Sequence, residues 1–299
     1  MIVFPNAKIN LGLQVMRKRT DGYHDIETVF YPVPLYDILE VILTDSRSTA
    51  TVFPSISAEI QSEATNFNLK SGIVLTYSSS GIPIEGPPER NLCIQACELF
   101  DEQYGLPGDL SIHLHKIIPM GAGLGGGSSD AAFMLKALAE LAGIAIAVDE
   151  LHKMASVLGS DCSFFIVNSP VHASGRGEIL QPIQLSLEGY KLVIVKPQVH
   201  VSTKVAFEGI QPNSQNSAVF EVIAEPISSW QGKLFNDFEK SLFPKYSKIA
   251  DIKKLLLKQG AIYASMTGSG SAVYGLFKDN VPHNNLVEDC FYFQCHFSK

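Results

Sequence analysis

Apolar and polar residues alternate over positions 8–15, and this period of two predicts a half-buried β-strand. Its apolar side holds Ile9, Leu11, Leu13 and Val15, and its polar side holds Lys8, Asn10, Gly12 and Gln14. Asp21–Gly22 then supplies a turn signal, and a β-like pattern returns over residues 26–43. The chain therefore opens in β structure.

Helical and strand patterns are mixed through the rest of the chain. We predict strands at 110–114, 162–167, 191–196, 261–266 and 272–277, and helices at 91–104, 130–142, 149–158, 202–208 and 247–259. Ser128 or Ser129 is the predicted N-cap of the helix at 130–142, and Gly143 follows its end. The elements fall into two groups, and the loop near residues 168–177 is the predicted domain boundary.

Composition narrows the class of protein. The chain has 299 residues, a formal net charge of −7 and 46% hydrophobic residues, which is typical of a globular protein of one or two domains. No cluster of Lys and Arg marks a nucleic-acid surface, so no nucleic-acid partner is expected. No Cys-x-x-Cys pair occurs among the five cysteines, so neither a disulfide framework nor a zinc ribbon is predicted.

Targeting signals are also missing from the sequence pattern. The residues after Met1 lack the basic and apolar segments of a signal peptide. No apolar run reaches the roughly 18 residues that a membrane span needs. We therefore expect a reduced, cytoplasmic protein without a membrane partner.

The most informative segment is a glycine-rich stretch at 119–130, with five glycines in the seven positions 121–127. Glycines allow a chain to bend and to approach a ligand closely. The stretch leads into the N-terminus of a predicted helix, where free N–H groups and the helix dipole favour an anion. Ser128 and Ser129 add hydroxyl donors, so the predicted ligand is a polyphosphate.

Three other interpretations of this stretch fit less well. A P-loop requires a Lys where Gly127 stands. The spacing Gly121-x-Gly123-x-x-Gly126 matches a dinucleotide fingerprint, but the preceding strand carries Ser and His where that fold needs an apolar strand. A glycine-rich surface loop without a ligand is the third alternative.

The stretch resembles the second signature of the GHMP kinases, the superfamily of galactokinase, homoserine kinase, mevalonate kinase and phosphomevalonate kinase. Residues 7–11 resemble the first signature, 267–270 the third, and 236–239 a further family motif. Residues 19–24 look like the substrate loop of the member that acts on a cytidine diphosphate-linked methylerythritol. The resemblance covers roughly residues 4–278.

This resemblance implies an α+β fold of two-domain GHMP-kinase architecture, with an N-terminal domain at 1–168, a C-terminal domain at 169–299 and the active site in the inter-domain cleft. It implies a small-molecule kinase that uses ATP and Mg²⁺. The expected reaction is phosphorylation of the 2-hydroxyl of the cytidine diphosphate-linked methylerythritol, in non-mevalonate isoprenoid precursor biosynthesis.

The sequence departs from the family pattern in two places before its last dozen residues, which align poorly. Residues 46–72 look like an insertion, and we expect its deletion to spare turnover. Residues 159–165 are Gly-Ser-Asp-Cys-Ser-Phe-Phe, where Gly-Ala-Asp-Val-Pro-Phe-Phe is usual. This second departure changes the neighbours of Asp161 and leaves the aspartate itself.

The resemblance implies two catalytic residues. A hydroxyl is a poor nucleophile, so a base within reach assists transfer, and Asp161 is the implied base. Lys8 is implied to act on the hydroxyl, on Asp161 or on the transferring phosphoryl group. Without the resemblance, Asp161 fits a turn aspartate and Lys8 a solvent-exposed strand lysine.

Binding residues are implied in the same way. The substrate-binding set is Asn10, Tyr23, His24, Thr203 and Phe207, with the aromatic rings stacking on a cytosine; a helix Phe such as Phe207 is by itself more often a core residue. The set for the ATP triphosphate is Pro119, Met120, Gly121, Ala122, Gly123, Leu124, Gly125, Gly126, Gly127, Ser128 and Ser129.

Metal ligands are not evident in the sequence, although the resemblance places Ser128 or Ser129 near the magnesium ion. His113 and His115 have metal-like spacing on one strand side but lack a third ligand, so we interpret them as an exposed face. The resemblance also places Asn91 and Lys116 near the adenine.

Two alternatives to this function are open. Another GHMP small-molecule kinase would act on mevalonate or homoserine, but these substrates carry no base for Tyr23 and His24 to stack on. A non-catalytic nucleotide-binding sensor would keep the fold without the chemistry, yet it should lose Lys8 or Asp161, and both are present. The oligomeric state is not predicted.

Overall fold

The structure is a computed structural model that describes residues 1–45, 64–212, 218–281 and 289–298. The chain forms two compact units, each assembled from separate stretches of sequence. The first unit contains Met1–Ala7, Leu35–Ile118 and Gly125–Val167. The second unit contains Lys8–Pro34, Pro119–Leu124 and Asn168–Lys299.

Within the described residues, six strands precede the first α-helix. In chain order the strands are β1 (Ile2–Val3), β2 (Asn6–Lys18), β3 (His24–Tyr36), β4 (Ile38–Asp45), β5 (Thr65–Asn68), β6 (Val74–Gly81), β7 (Gly108–Lys116), β8 (Val171–Ser174), β9 (Ile179–Pro182), β10 (Lys191–Pro197), β11 (Tyr263–Met266), β12 (Val273–Phe277) and β13 (Cys290–His296). The α-helices are α1 (Leu92–Tyr104), α2 (Gly126–Leu141), α3 (Val148–Leu158), α4 (Cys162–Val167), α5 (Thr203–Glu208), α6 (Val219–Ile223), α7 (Phe238–Leu242) and α8 (Ser247–Lys258).

The first unit is a sheet covered by helices. Its strands run in the order β1-β4-β7-β6-β5, with β6 and β7 parallel and the other pairs antiparallel. Helix α2 contacts β4, and α1 packs against α2. Buried side chains of α1, including Cys93, Cys97 and Phe100, fill the space between the helices. This arrangement holds the first turn of α2 in a fixed place.

The second unit contains two further sheets. One has the order β11-β12-β10-β13, all antiparallel, and α8 packs on β11 and β12 around a core that includes Ile252, Leu256 and Phe277. The other has the order β2-β3-β8-β9. Strand β2 is also bonded to the segment before α7, because the Leu13 N–H donates to the Phe235 carbonyl at 3.1 Å. The family motif at 236–239 therefore anchors β2.

Most of the predicted elements are confirmed, and helices and sheets in both units confirm the α+β prediction. Asn91 caps α1, because its side chain accepts the Cys93 N–H at 2.9 Å. Ser202 caps α5 by accepting the Val205 N–H. Among the helices of the described residues, none combines the length and apolar character that crossing a membrane requires. The prediction of a domain boundary after residue 168 stays a prediction.

Three sequence predictions about local structure are wrong. Residues 162–167 are the helix α4, not a strand: an apolar run this short has no decisive period, and its buried residues lie among α2 and α3. Neither Ser128 nor Ser129 caps α2, because the helix begins at Gly126 after Gly125 in the left-handed conformation. The polar side of β2 is not solvated, since Lys8 and Asn10 are both 2% exposed.

Two further predictions concern the pair His113 and His115 and the insertion at 46–72. His113 and His115 are half-buried, and their rings lie within hydrogen-bonding distance of Ser78 and Ser80 on the neighbouring strand. No group of three or more His, Cys, Asp or Glu side chains arranged to hold a metal occurs in the described parts of the chain. Most of the predicted insertion at 46–72 lies outside the described residues, and its last part forms β5 and the turn before β6.

Candidate phosphate and substrate site

The first half of the glycine-rich loop, residues 119–124, belongs to the second unit and lies along the 267–272 turn. Three successive carbonyl oxygens accept hydrogen bonds from that turn: Gly121 from the Ser271 N–H at 3.3 Å, Ala122 from the Ala272 N–H at 3.2 Å, and Gly123 from the Thr267 hydroxyl at 3.0 Å. In a trans peptide the next N–H points away from the carbonyl. The N–H groups of residues 122–124 therefore point away from the turn, in the manner of an anion-binding nest.

Glycine is required at two positions of this half-loop. Gly121 and Gly123 have φ of 58° and 74°, in the left-handed region that glycine adopts most easily. A β-carbon on Gly123 would lie 2.1 Å from the Thr267 carbonyl oxygen. Pro119, Ala122 and Leu124 are buried, whereas Met120 is 41% exposed. The half-loop thus presents mainly backbone to a ligand.

The second half of the loop, residues 125–129, belongs to the first unit and starts α2. Gly125 is the N-cap, with φ 71° and ψ 15°, and Gly126, Gly127, Ser128 and Ser129 form the first turn. The first N–H groups of a helix have no partner within the helix and attract anions. Ser128 is half-buried, and the hydroxyl of buried Ser129 has no hydrogen-bond partner within the described residues. These groups can bind phosphate oxygens.

A buried cluster of Asp37, Lys116 and Asp130 lies behind the start of α2, and the sequence analysis missed its acidic members. The Lys116 ammonium donates to Asp130 Oδ2 at 2.8 Å and to Asp37 Oδ2. Asp37 Oδ1 accepts the N–H groups of Ile117 and Ile118 at 2.6 and 2.8 Å. Lys116 and Asp130 flank the glycine-rich loop in sequence, but no pattern indicated that Asp37 would join them.

Burial and charge shift the pKa values in this cluster. Burial raises the pKa of Asp130 to about 7, opposed by the Lys116 ammonium and assisted by the Asp37 carboxylate. Burial alone would lower the pKa of Lys116, but the two carboxylates outweigh it and raise that pKa. A β-carbon on Gly126 would lie 2.9 Å from Lys116 Nζ. The cluster therefore fixes the backbone at Gly126, where the glycine-rich loop passes into α2.

Asp161 lies in the turn between α3 and α4, within the first unit, and is half-buried. The next residue, Cys162, is buried, and the Ser128 side chain lies near its thiol. Burial raises the pKa of this thiol to about 12, and the Asp161 charge adds to the increase. Helix α4, which begins directly after Asp161, packs against α2.

Lys8 and Asn10 lie in a buried hydrogen-bond network of the second unit. The Lys8 ammonium donates to Asn10 Oδ1 at 2.6 Å and lies 4.8 Å from the centre of the Phe30 ring. The Asn10 amide group donates to the Thr28 hydroxyl at 3.0 Å, and its backbone N–H donates to the Thr267 hydroxyl at 3.0 Å. Because Thr267 also holds Gly123, one side chain joins β2 to the first half of the loop.

The predicted aromatic residues gather at another part of the second unit. His24 stacks on Phe207, with ring centres 4.7 Å apart and planes at 19°, and Phe207 meets Phe238 edge-on. Tyr23 is 56% exposed, and the Arg176 guanidinium lies 5.0 Å from its ring centre. Burial, and then the Lys18 charge, lower the pKa of His24.

Thr203, the fifth predicted substrate residue, is exposed at the first position of α5. Its hydroxyl lies 3.4 Å from the Ser269 hydroxyl in the 267–272 turn. The predicted residues therefore form three groups: the Asp161 turn with the start of α2 in the first unit, and the Lys8–Asn10 network and the aromatic group in the second unit. Asn91 donates to the Tyr77 hydroxyl at 2.8 Å while capping α1, and its place near the adenine stays a prediction.

Comparison with known families gives two matches within the chain. Residues 91–169 match the model described as GHMP kinases N terminal domain. Residues 221–290 match the model described as GHMP kinases C terminal. These matches confirm the resemblance inferred from the four sequence motifs.

Named relatives cover nearly the whole chain. A 4-diphosphocytidyl-2-C-methyl-D-erythritol kinase of Bacteroides fragilis (strain YCH46) is 49% identical over 278 residues, which are 93% of this chain and 92% of the relative. A relative of the same name from Parabacteroides distasonis is 44% identical over 97% of both chains. A crystal structure of 4-(cytidine 5'-diphospho)-2C-methyl-D-erythritol kinase is similar with a TM-score of 0.71 and 30% identity, covering 92% of this chain and 90% of that one.

Proposed function

The chain belongs to the family of 4-diphosphocytidyl-2-C-methyl-D-erythritol kinases within the GHMP kinases, and from this premise we propose that it transfers the γ-phosphoryl group of ATP to the 2-hydroxyl of 4-diphosphocytidyl-2-C-methyl-D-erythritol. Membership of the family makes it an enzyme, an ATP-dependent small-molecule kinase. The observation that carries the choice of substrate is the aromatic group of Tyr23, His24 and Phe207. Mevalonate and homoserine contain no nucleobase on which such rings could stack.

The glycine-rich loop is the proposed site for the ATP triphosphate. The N–H groups of residues 122–124 point away from the 267–272 turn, and those of Gly126, Gly127 and Ser128 precede the first bond of α2, from the Ser129 N–H to the Gly125 carbonyl at 2.9 Å. Mg²⁺ would enter as part of the Mg·ATP substrate and would neutralise charge on the β- and γ-phosphates. The hydroxyls of Ser128 and Ser129 fit such an ion, because phosphates and waters supply most of its ligands.

Asp161 is the proposed general base for the 2-hydroxyl. Phosphoryl transfer depends mainly on positioning and on charge stabilisation, and the packing of α4 against α2 positions the Asp161 turn relative to α2. The carboxylate would accept the hydroxyl proton as the oxygen attacks the γ-phosphorus. A half-buried carboxylate suits this role because part of it is accessible to a substrate hydroxyl.

Lys8 is the proposed electrostatic partner in the transfer. Its ammonium is buried and oriented by Asn10, so its charge is preorganised and little solvent must reorganise around it. Asn10 is itself held by Thr28 and Thr267. Three buried polar side chains, those of Asn10, Thr28 and Thr267, thus fix one cation, which favours a catalytic role over a structural one.

The cytosine is proposed to bind at the aromatic group. His24 and Phe207 stack directly at 4.7 Å, so in this arrangement a base would stack on the outer side of the pair or on the exposed Tyr23 ring. The lowered pKa of His24 favours a neutral imidazole, which has one donor and one acceptor for a base edge. Thr203 would contact the same substrate.

The experiment that tests the proposal is product analysis. The full chain is incubated with Mg·ATP and 4-diphosphocytidyl-2-C-methyl-D-erythritol, and products are followed by phosphorus NMR. We expect ATP to be converted to ADP while one new phosphomonoester signal appears on the acceptor. ATP consumption that leaves the acceptor unchanged would overturn the proposed reaction.

A further inference from the structure

His200 lies directly against the first half of the glycine-rich loop, within the second unit. A β-carbon on Gly121 would be 2.9 Å from His200 Nδ1 and 3.1 Å from its Cε1. The Nδ1–Cε1 edge of the ring therefore faces the loop, and Nε2, which is bonded to Cε1, lies beside this edge. The residue is exposed, so this contact is made at the surface of the unit.

The 267–272 turn fixes His200 and the loop relative to one another. The Ser271 N–H donates to the Gly121 carbonyl at 3.3 Å, and the Ser271 hydroxyl donates to the Val199 carbonyl at 2.6 Å. The same turn places Ser269 beside Thr203, three residues after His200. Ser271 thus holds Gly121 through its N–H and Val199, the residue before His200, through its hydroxyl.

No hydrogen bond joins either ring nitrogen of His200 to a residue in the described stretches of the chain. The ring of His200 lies against the glycine-rich loop. The carbonyl groups of residues 121–123 are bonded to the 267–272 turn, so the N–H groups of residues 122–124 point the other way. Imidazole N–H is a good donor to an anionic oxygen, and such bonds are stronger than neutral ones. The combination indicates a site for an anion rather than a packing role.

We propose that His200 is a further binding residue, whose imidazole donates a hydrogen bond to a phosphate oxygen of a bound diphosphate group. Both proposed substrates carry this chemistry, since ATP and the cytidyl alcohol each contain a diphosphate. The inference rests on the proposed function for the identity of the second molecule. The geometry at Gly121 does not depend on it.

Steady-state kinetics on the full chain tests this role in two arms, with KM measured for Mg·ATP and for the cytidyl alcohol. The variants are His200→Ala, His200→Gln, and the exposed neighbour Gln198→Ala as the matched control. For His200→Ala we expect KM for one of the two molecules to rise about tenfold, the low end for a hydrogen bond to a charged group, with kcat nearly unchanged. His200→Gln keeps an N–H donor and should recover part of the loss.

The substrate whose KM rises is the one whose phosphate His200 contacts. A rise in KM for Mg·ATP assigns His200 to the nucleotide, and a rise for the cytidyl alcohol assigns it to the acceptor. Values of KM within about twofold of wild type for both molecules, less than the roughly 0.5 kcal/mol that one weak hydrogen bond contributes, would overturn the proposal. An equal loss in His200→Gln, with reduced thermal stability, would overturn it in favour of packing.

Equilibrium binding separates this inference from the proposed function. The probes are Mg·ADP and cytidine diphosphate, titrated into wild type, His200→Ala and Gln198→Ala. Weaker binding of either probe to His200→Ala alone supports the role of His200 even if wild type phosphorylates none of the expected acceptors. Equal binding of both probes to all three proteins contradicts it, whatever the reaction.

Discussion

The backbones of Gly123 and Thr267 touch, although the two residues are 144 positions apart in the chain. The Thr267 hydroxyl donates to the Gly123 carbonyl at 3.0 Å, and a β-carbon on Gly123 would lie 2.1 Å from the Thr267 carbonyl oxygen. The same hydroxyl accepts the Asn10 N–H. The second signature, through Gly123, and the third, through Thr267, are therefore in direct contact. The first signature is bonded to the third through the Asn10 N–H.

Substitution of Gly123 by Ala should disrupt this contact. The new β-carbon would meet a backbone oxygen, which cannot move aside as a flexible side chain can, and φ of 74° adds strain. We expect the free energy of unfolding, measured in urea, to fall by about 3 kcal/mol, and Mg·ADP binding to weaken.

Gly143→Ala is the matched control for this change. Gly143 also has a positive φ, of 67°, but nothing lies within 4 Å of its β-carbon position. It should lose only the roughly 1 kcal/mol of the left-handed conformation, with nucleotide binding unchanged. Equal losses in the two variants would refute the contact between Gly123 and Thr267 as the cause.

Asp161→Asn tests the proposed base. An amide keeps the shape of the carboxylate but cannot accept the hydroxyl proton, so kcat should fall by about 10²- to 10³-fold, within the usual range for general-base catalysis. KM values and thermal stability should change little. Asp149→Asn, an exposed aspartate in the first turn of α3, should retain wild-type kcat; comparable rates for both variants would remove Asp161 from the mechanism.

Phe207→Ala tests the aromatic group. Phe207 lies between His24 and Phe238, so its removal takes away the support of the His24 ring. An aromatic pair contributes about 0.5–1.5 kcal/mol beyond its buried area, and KM for the cytidyl alcohol should rise about three- to tenfold, with KM for Mg·ATP unchanged.

Phe220→Ala provides the comparison for Phe207, since Phe220 is 49% exposed and meets His172 edge-on. It should leave both KM values as they are. An increase in KM for Mg·ATP in Phe207→Ala, matching that for the cytidyl alcohol, would show a general loss of structure instead of a loss of base binding.

The buried cluster predicts a pH dependence of stability. Burial raises the pKa of Asp130 from its ordinary 3.8 to about 7, so the folded state keeps a proton that the unfolded state releases. The stability from this proton is complete below about pH 4 and is lost as pH rises to about 7, at no more than about 1.4 kcal/mol per pH unit.

Urea unfolding of wild type and Asp130→Asn between about pH 4 and 8 measures this effect. The difference in unfolding free energy between the two proteins should shift in favour of the variant as pH rises to about 7, and should then be constant. Asp251→Asn, at an exposed carboxylate, should follow wild type. A difference that does not vary with pH would contradict the assigned proton.

Local patterns in the sequence predicted most of the elements. Alternation predicted the strand at 8–15, and the amphipathic pattern over 91–104 predicted the helix that begins at Leu92. The prediction of a strand at 162–167 failed because six mostly apolar residues have no decisive period. Packing against α2 and α3 determined that this segment is a helix.

Contacts between residues far apart in the chain could not be predicted from the sequence. Asp37 pairs with Lys116 across 79 positions, and nothing near either residue indicates the other. The burial of Lys8 depends on Phe30 and on the network through Asn10, so its side of β2 was wrongly expected to be solvated. The resemblance assigned His24 and Phe207 to one substrate site, but their direct stacking was not predicted, since neither residue has a local pattern that indicates the other.

The most direct measurement of the central claim is the rate of ADP release with Mg·ATP and three separate acceptors: 4-diphosphocytidyl-2-C-methyl-D-erythritol, mevalonate and homoserine. We predict turnover with the cytidyl alcohol only, because only this acceptor has a base for Tyr23 and His24. Turnover with mevalonate or homoserine, and none with the cytidyl alcohol, would contradict the proposed substrate and the role of the aromatic group.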